Sequence, residues 1–292
     1  MRVAYLGPRG TVSDEALTAA APALEGVPLP TLRDVVMSVQ EGRFERALVP
    51  IENALEGGVD PVLDCLALEA HDVSIIGEVV HPVSYCLAAG RELALDEVTM
   101  VLSHPQALGQ CQNWIAKHLP RARVVPAVST ADAVREVATD AEGTRVAIGP
   151  RIAARHYGAL MLAEDIEDDP GNATRFGWLA RTEAAPAPSG DGGGKTMLIF
   201  WGAGSGSPGW LVSCLAVFAF AGVNLVRIES RPLRRKMGEY MFFLDLEGSV
   251  GAPTVAGAVA DLHKHAETVR VLGSFGTESA VPRYRYTPDS DG

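Results

Sequence analysis

The stretch "TEAAPAPSGDGGGK" (residues 182–195) is rich in Ala, Pro and Gly, a composition suited to a linker rather than to a packed core. It divides the 292 residues into two pieces, each large enough to bury a core. The expected division is 1–182, a linker at 183–194, and 195–292. The order of secondary-structure signals differs on its two sides, and that difference constrains the fold.

Before the linker, strands and helices alternate. "RVAYLG", "RALVPIEN", "VTMVLSH", "RVVPAVS" and "RVAIGP" read as strands, and each runs on into a helical pattern, from "SDEALTAAAPAL" to "RIAARHYGA". "DVSIIGEVVHPVSYCLAA" reads as two strands. This is the pattern of a layered α/β fold. After the linker come strand "KTMLIFW", a helix, strand "VNLVRIE", a hairpin, strand "EYMFFLDLEG", helix "PTVAGAVADLHKHA" and strand "VRVLGSF". That order, βαββαβ, is ferredoxin-like. "PGWLVSCLAVFAFAGVNLV" (208–226) has no charge and is long enough to be weighed as a membrane span. Gly222 and Asn224 break it into a helix (208–221) and a β-branched strand (223–230), both suited to a buried core.

The formal net charge of -11 argues against nucleic acid as a partner. Residues 1–182 hold 15 Lys and Arg against 25 Asp and Glu, so an anion bound there needs local donors. Cys65, Cys86, Cys111 and Cys214 are scattered, without a CxxC pair. They read as small buried hydrophobes of a reducing compartment. The N-terminus runs straight into a strand without signal-peptide features, so a cytoplasmic location is expected. No metal-ligand pattern and no Ser-His-Asp nucleophile elbow is visible.

Three segments share a strand, a polar turn and a helix start: Thr11 lies three before Asp14, Ser103 three before Gln106, and Ser129 three before Asp132. Each is a capping-box pattern. They either cap helices and nothing more, or gather free N–H groups at strand ends, where anions bind. A small substrate bearing carboxylates would fit. Glu52 and Asn53 in "VPIENALEGGV" are loop solvation or a pocket wall. Asn172, Thr174 and Arg175 in "NATRF" are a surface turn or a carboxylate fork. Gly204, Gly206 and Gly209 in "GAGSGSPG", with Glu229 twenty residues further on, satisfy a dinucleotide fingerprint on paper. The following "SRPLRRKMGEY" turns back into another strand, where that fold needs a crossover helix.

Taken in order, "YLGPRGT", "VPIEN", "EGGV", "SHPQALGQC", "AIGP" and "TRF" resemble the catalytic domain of bacterial prephenate dehydratases. "IESRP" and "GEYMFFLDLEG" resemble the ACT regulatory domain that follows it in that family. The resemblance covers nearly the whole chain. It implies two α/β lobes arranged like a periplasmic binding protein, with the site in the cleft between them, and conversion of prephenate to phenylpyruvate with loss of water and carbon dioxide, an aromatisation for which neither metal nor cofactor is expected. By resemblance, Thr174 meets the departing hydroxyl as a donor or relay, drawing on Glu52 or water. Thr11, Asn53, Ser103, Gln110 and Asn172 would help form the substrate site. Arg175 would either bind a carboxylate or hold the loop by an ion pair.

The resemblance also implies a homodimer or homotetramer that binds phenylalanine at the ACT interface, using Gly209, Trp210, Leu211, Asn224, Glu229, Ser230, Arg231 and Pro232. The family pattern has Ala where Trp210 stands, and the indole is expected to fill the effector's space and weaken phenylalanine inhibition. Val12, Ala54, Gly177 and Val226 also depart from the pattern, at positions bearing on substrate identity and feedback. The competing functions are an arogenate dehydratase, a prephenate decarboxylase that does not aromatise, and a non-catalytic amino-acid sensor.

Overall fold

A computed structural model describes residues 1–140, 143–187 and 193–276. From the N-terminus the elements are β1 (Arg2–Leu6), α1 (Val12–Ala20), β2 (Glu25–Leu29), α2 (Leu32–Gln40), β3 (Arg46–Asn53), β4 (Gly57–Gly58), α3 (Asp60–Leu68) and β5 (Val73–Pro82). Then follow β6 (Cys86–Ala89), β7 (Met100–Ser103), α4 (Pro105–Gln110), α5 (Gln112–His118), β8 (Arg123–Pro126), α6 (Thr130–Ala138), β9 (Arg145–Gly149), α7 (Arg151–Tyr157), β10 (Leu160–Glu164) and β11 (Ala173–Arg181). Residues 188–192 of the linker lie outside the described residues.

These elements make two lobes. The first sheet has the order β2-β1-β3-β11-β5, and the second β10-β6-β9-β7-β8. In the first, β1 runs parallel to β2 and β3, while β11 is antiparallel to both β3 and β5. The chain crosses to the second lobe after β5 and returns before β11. The crossings are tied together: Val83 N–H donates to Asn172 O (2.9 Å) and Ile166 N–H to Tyr85 O (3.2 Å). A cleft lies between the lobes at this double crossing.

The two strands expected from "DVSIIGEVVHPVSYCLAA" are β5 and β6, one in each lobe. "NATRF" is not a surface turn: from Ala173 it opens a nine-residue strand at the heart of a sheet, with Phe176, Leu179 and Ala180 buried. Three strands, β2, the two-residue β4 and β10, and one helix, α2, were not expected as separate elements. Gly26 and Pro28 interrupt the β pattern of β2, and α2 is set by Thr31, whose hydroxyl accepts from Asp34 N–H (3.0 Å). The single helix expected from "PQALGQCQNWIAKHL" breaks at Cys111, whose backbone leaves helical geometry. All four cysteines are buried and unpaired.

After the linker come β12 (Lys195–Trp201), α8 (Trp210–Phe220), β13 (Leu225–Pro232), β14 (Tyr240–Glu247), α9 (Pro253–Leu262) and β15 (Thr268–Phe275). The sheet order β13-β14-β12-β15, antiparallel throughout, is that of a βαββαβ sandwich. The uncharged segment 208–226 divides into α8 and part of β13 as expected, and no helix among the described residues is long and apolar enough to cross a membrane. One face of this sheet, through Leu198, Phe200 and Leu244, packs with Phe218 and Leu262 of its helices. The opposite face contributes Met197, Ile199, Met241, Phe243 and Leu272 to a core shared with Leu63, Leu66, Val73 and Ile75 of the first lobe.

The two backbones approach very closely at one point of that shared core. A Cβ on Gly273 would lie 2.0 Å from the carbonyl oxygen of Ile75. Only glycine fits there. Gly273→Ala is expected to wedge β15 away from β5 and cost about 1–3 kcal/mol, visible as a lowered midpoint in urea denaturation.

Candidate active site in the interlobe cleft

The site grows from the pairing of β3 with β11, in which Thr174 lies opposite Asn53 and Arg175 opposite Glu52. Successive residues of a strand face opposite sides of its sheet. Asn53 and Thr174 therefore share the cleft side, and Glu52 and Arg175 the back. The register then slips by one residue between Arg175 and Phe176, which brings Phe176 and Pro50 to the cleft as well.

Asn53 is buried and organises the site. Its Oδ1 accepts from the N–H groups of Leu55 (3.0 Å) and Glu56 (3.2 Å), fixing the turn after β3. Its Nδ2 donates to Thr174 Oγ1 (3.0 Å) and to Asn172 Oδ1 (2.9 Å). Asn172 in turn donates to Gln110 Oε1 (2.9 Å), and Gln110 Nε2 donates to Glu56 Oε1 (3.3 Å). This amide chain reaches from the first lobe to α4 of the second. Because Thr174 Oγ1 accepts from Asn53, its own proton is left to be donated into the cleft.

Around Thr174 is a cavity of about 440 Å³, lined also by Pro50, Asn53, Glu56, Tyr85, Gln106 and Phe176. A second cavity of about 710 Å³ continues along the cleft past Thr11, Pro28, His104, Ser129 and Thr130. Leu6, Val12, Ser13, Tyr85 and Gln106 border both. Among the described residues, no Lys or Arg lines either one. The positive potential needed by an anion must come from N–H groups, and the starts of α1, α4 and α6 border the space.

Several expected site residues are elsewhere. Glu52 and Arg175 sit behind the sheet, so Glu52 cannot supply a proton directly to Thr174 and Arg175 does not face the substrate space. Arg175 is the ion-pair anchor of the two readings, 2.6 Å from Asp245, 2.9 Å from Glu52 and 3.2 Å from Glu78. Burial works against its charge, but Asp245, Glu52 and Glu78 outweigh it and raise its pKa. Ser103 is fully buried and donates to Ile148 O (2.6 Å). It neither lines the cleft nor caps α4, whose N-cap is His104, with Nδ1 accepting from Gln106 N–H (3.3 Å). Thr11 does border the cleft and does cap α1, although its proton goes to Leu6 O (3.0 Å). Gln110 braces the crossing rather than lining the cavities.

Gln106 and Tyr85 were missed. Gln106 lies one helical turn before Gln110, on the same side of α4, and the i, i+4 spacing was the available signal. Tyr85 sits in the crossing segment, where no periodicity marks a site; burial pushes its phenol pKa up.

In the C-terminal sandwich, Gly209 is in the left-handed region (φ 82°) and precedes α8. Leu211 packs partly buried against the core beneath that helix, while Asn224, Ser230 and Pro232 are exposed along edge strand β13. Glu229 and Arg231 are not open to an effector. They face the first lobe, where Glu229 pairs with Arg227 (2.8 Å), and Arg231 with Asp60 and Asp64. Trp210 also departs from expectation: its Nε1 donates to His265 O (2.8 Å) and its ring packs on Phe200 and Phe242. The indole closes its own module's core instead of filling an open pocket.

The prephenate dehydratase family model matches residues 3–184, which include the cleft and its two lobes. The chain belongs to the prephenate dehydratase family. A prephenate dehydratase of Mycolicibacterium vanbaalenii is 36% identical over 294 residues, covering 96% of this chain and 92% of the relative. An arogenate dehydratase/prephenate dehydratase of Arabidopsis thaliana is 36% identical over 291 residues, covering 96% and 74%. Among solved structures, the prephenate dehydratase of Arthrobacter aurescens in complex with L-Phe superposes with a TM-score of 0.86 at 34% identity, covering 94% of this chain and 90% of that one.

Because Ser103 spends its hydroxyl inside the second sheet, Ser103→Ala is expected to lower stability by about 1 kcal/mol. Its Michaelis constant and turnover should stay at wild-type values, which steady-state kinetics beside thermal unfolding will check.

Proposed function

We propose that this prephenate dehydratase binds prephenate in the interlobe cleft and that Thr174, oriented by Asn53, donates to the ring hydroxyl as it departs. The observation that carries this is the Asn53–Thr174 hydrogen bond, which commits the threonine oxygen as acceptor and leaves its proton facing the cavity. Prephenate has two carboxylates and a ring hydroxyl. Loss of carbon dioxide and hydroxide makes the ring aromatic, which supplies the driving force without electron transfer. The enzyme's tasks are to hold the two anions and to assist the departing hydroxide.

A threonine hydroxyl is too weak an acid to give up its proton outright at neutral pH. It serves as a donor in a relay, with water or a carboxylate behind it. Of the two glutamates flanking Asn53, Glu56 is the one that borders the cavity, so it replaces Glu52 in that role. The helix starts beside Thr11, Gln106 and Ser129 suit the carboxylates. Phe176 and Tyr85 supply flat apolar surface for the ring.

The βαββαβ unit fits an ACT-type regulatory module that pairs with a second copy and binds phenylalanine at the contact. β13 is an edge strand whose outward residues Val226 and Ile228 are exposed, and Val212 and Phe220 on α8 add further exposed apolar surface. A second copy of the same module would cover these side chains. The L-Phe complex of the Arthrobacter aurescens relative supports phenylalanine as the effector. The packing of the half-buried Trp210 ring on Phe200 and Phe242 removes the ground for expecting that effector to be blocked.

Three outcomes are expected. Thr174→Ala should keep the fold and lower turnover by roughly two to four powers of ten, with Thr174→Ser retaining more; near-normal turnover in Thr174→Ala would refute the assignment. Incubation with prephenate alone should yield phenylpyruvate. A non-aromatic keto acid would point to decarboxylation only, and faster turnover of arogenate would move the substrate assignment. Trp210→Ala should lose about 1–3 kcal/mol of stability and gain no new phenylalanine inhibition, as read by unfolding and by activity during a phenylalanine titration.

A further inference from the structure

Behind Asn53 and Thr174, on the face of β3 and β11 turned from the cleft, the C-terminal sheet buries a cluster of charges. Arg175 is 11% exposed, Glu78 10%, Arg227 8% and Asp245 1%. Arg175 Nη1 lies 2.6 Å from Asp245 on β14, and its Nη2 2.9 Å from Glu52. Lys195 Nζ approaches Glu78 at 2.6 Å, and Arg227 reaches Glu52 at 3.5 Å. Every one of these contacts except Arg175 with Glu52 and with Glu78 joins the C-terminal sheet to the first lobe.

Buried ion pairs contribute little net stability against an apolar replacement, but they are costly to break and fix geometry. The geometry here is unusual in where it is fixed. Immediately after Arg175 the β3–β11 ladder slips by one residue. Such a bulge interrupts the pairing and re-aims side chains on the β3 edge, the edge that carries Asn53, while the β5 ladder runs in regular register from Ala173 to Trp178. The side chain that follows Thr174 is clamped from behind as well, by a carboxylate belonging to a different sheet.

We propose that Asp245, in the C-terminal sheet, is a positioning residue for the cleft: by holding Arg175 it sets β11 so that the Thr174 hydroxyl stays against Asn53 and aims at the substrate. This rests on the reading of Thr174 given above. The C-terminal sheet is then part of the active site's support, and the Arg175–Asp245 ion pair is the link that passes its movement to Thr174. The effect falls on the transition state, where the hydroxyl acts, rather than on substrate binding.

The test uses the full chain with prephenate. Asp245→Asn is expected to lower turnover about ten- to a hundredfold while the Michaelis constant stays within about threefold. Asp245→Glu should recover part of the loss. In a Thr174→Ala background, Asp245→Asn should cost nothing further, because the group it positions is gone. Wild-type turnover in a folded Asp245→Asn protein, or the same fold-loss in both backgrounds, would overturn the proposal and leave Asp245 a packing residue. If Asp245→Asn does not fold, Asp245→Glu and Arg175→Lys carry the same comparison. Full activity in Thr174→Ala would overturn the cleft reading and this proposal together, whereas an impaired Thr174→Ala beside a normal Asp245→Asn overturns the proposal alone.

Discussion

The insertion of β11 between β3 and β5 is the constraint on which the molecule depends. It makes a late segment the centre of the earliest sheet. It pairs Thr174 with Asn53, closes the first lobe, and forces the chain to cross the interlobe gap twice at one place. The cleft follows from that double crossing, since two lobes joined by adjacent strands leave a groove beside the join. The back of β11 follows as well: it is the surface on which the C-terminal sheet settles, sharing a core that includes Ile75 and Phe243.

Electrostatics divides along the same strand. On the cleft side, the lining holds amides, hydroxyls, aromatic rings and the carboxylate of Glu56, and the positive ends of helices stand in for cationic side chains. On the back, guanidinium and carboxylate groups are buried together. Alternation along a β-strand makes this separation possible within consecutive residues: Thr174 is a neutral donor facing substrate, and Arg175 is a charge facing protein. Keeping the guanidinium groups out of the cleft avoids placing a tight ion pair where a dianion has to enter and carbon dioxide has to leave.

Much of this was legible in the sequence. The alternating strand and helix signals gave the α/β lobes, and the βαββαβ order gave the sandwich, because both rest on periodicity. The polar ends of β3 and β11 were visible as Asn53 and Thr174. What periodicity could not supply was facing. Glu52 is next to Asn53 in sequence and on the other side of the sheet in space, and the bulge after Arg175 left no mark in composition. Ser103 and Gln106 exchanged roles for a similar reason: the capping pattern placed the helix start correctly to within a residue, but one residue decides whether a side chain points into a sheet or into a cleft. Trp210 looked like an obstacle because its partners, Phe200, Phe242 and the carbonyl of His265, come from three distant segments.

The position of β11 also has a consequence for how the chain is made. Asn53 and Thr174 are 121 residues apart, so their pairing is a long-range closure with a high entropic cost. During synthesis β3 and β5 emerge with their inner edges unpaired, and they wait while the entire second lobe is translated. Open strand edges of that kind are sites for wrong pairing with other chains. The second lobe, whose own sheet is complete before β11 appears, can fold first and act as the brace that brings β11 back. The last strand to join the first sheet is the one that carries the reactive hydroxyl, so a nascent chain has no working cleft until its first lobe is sealed.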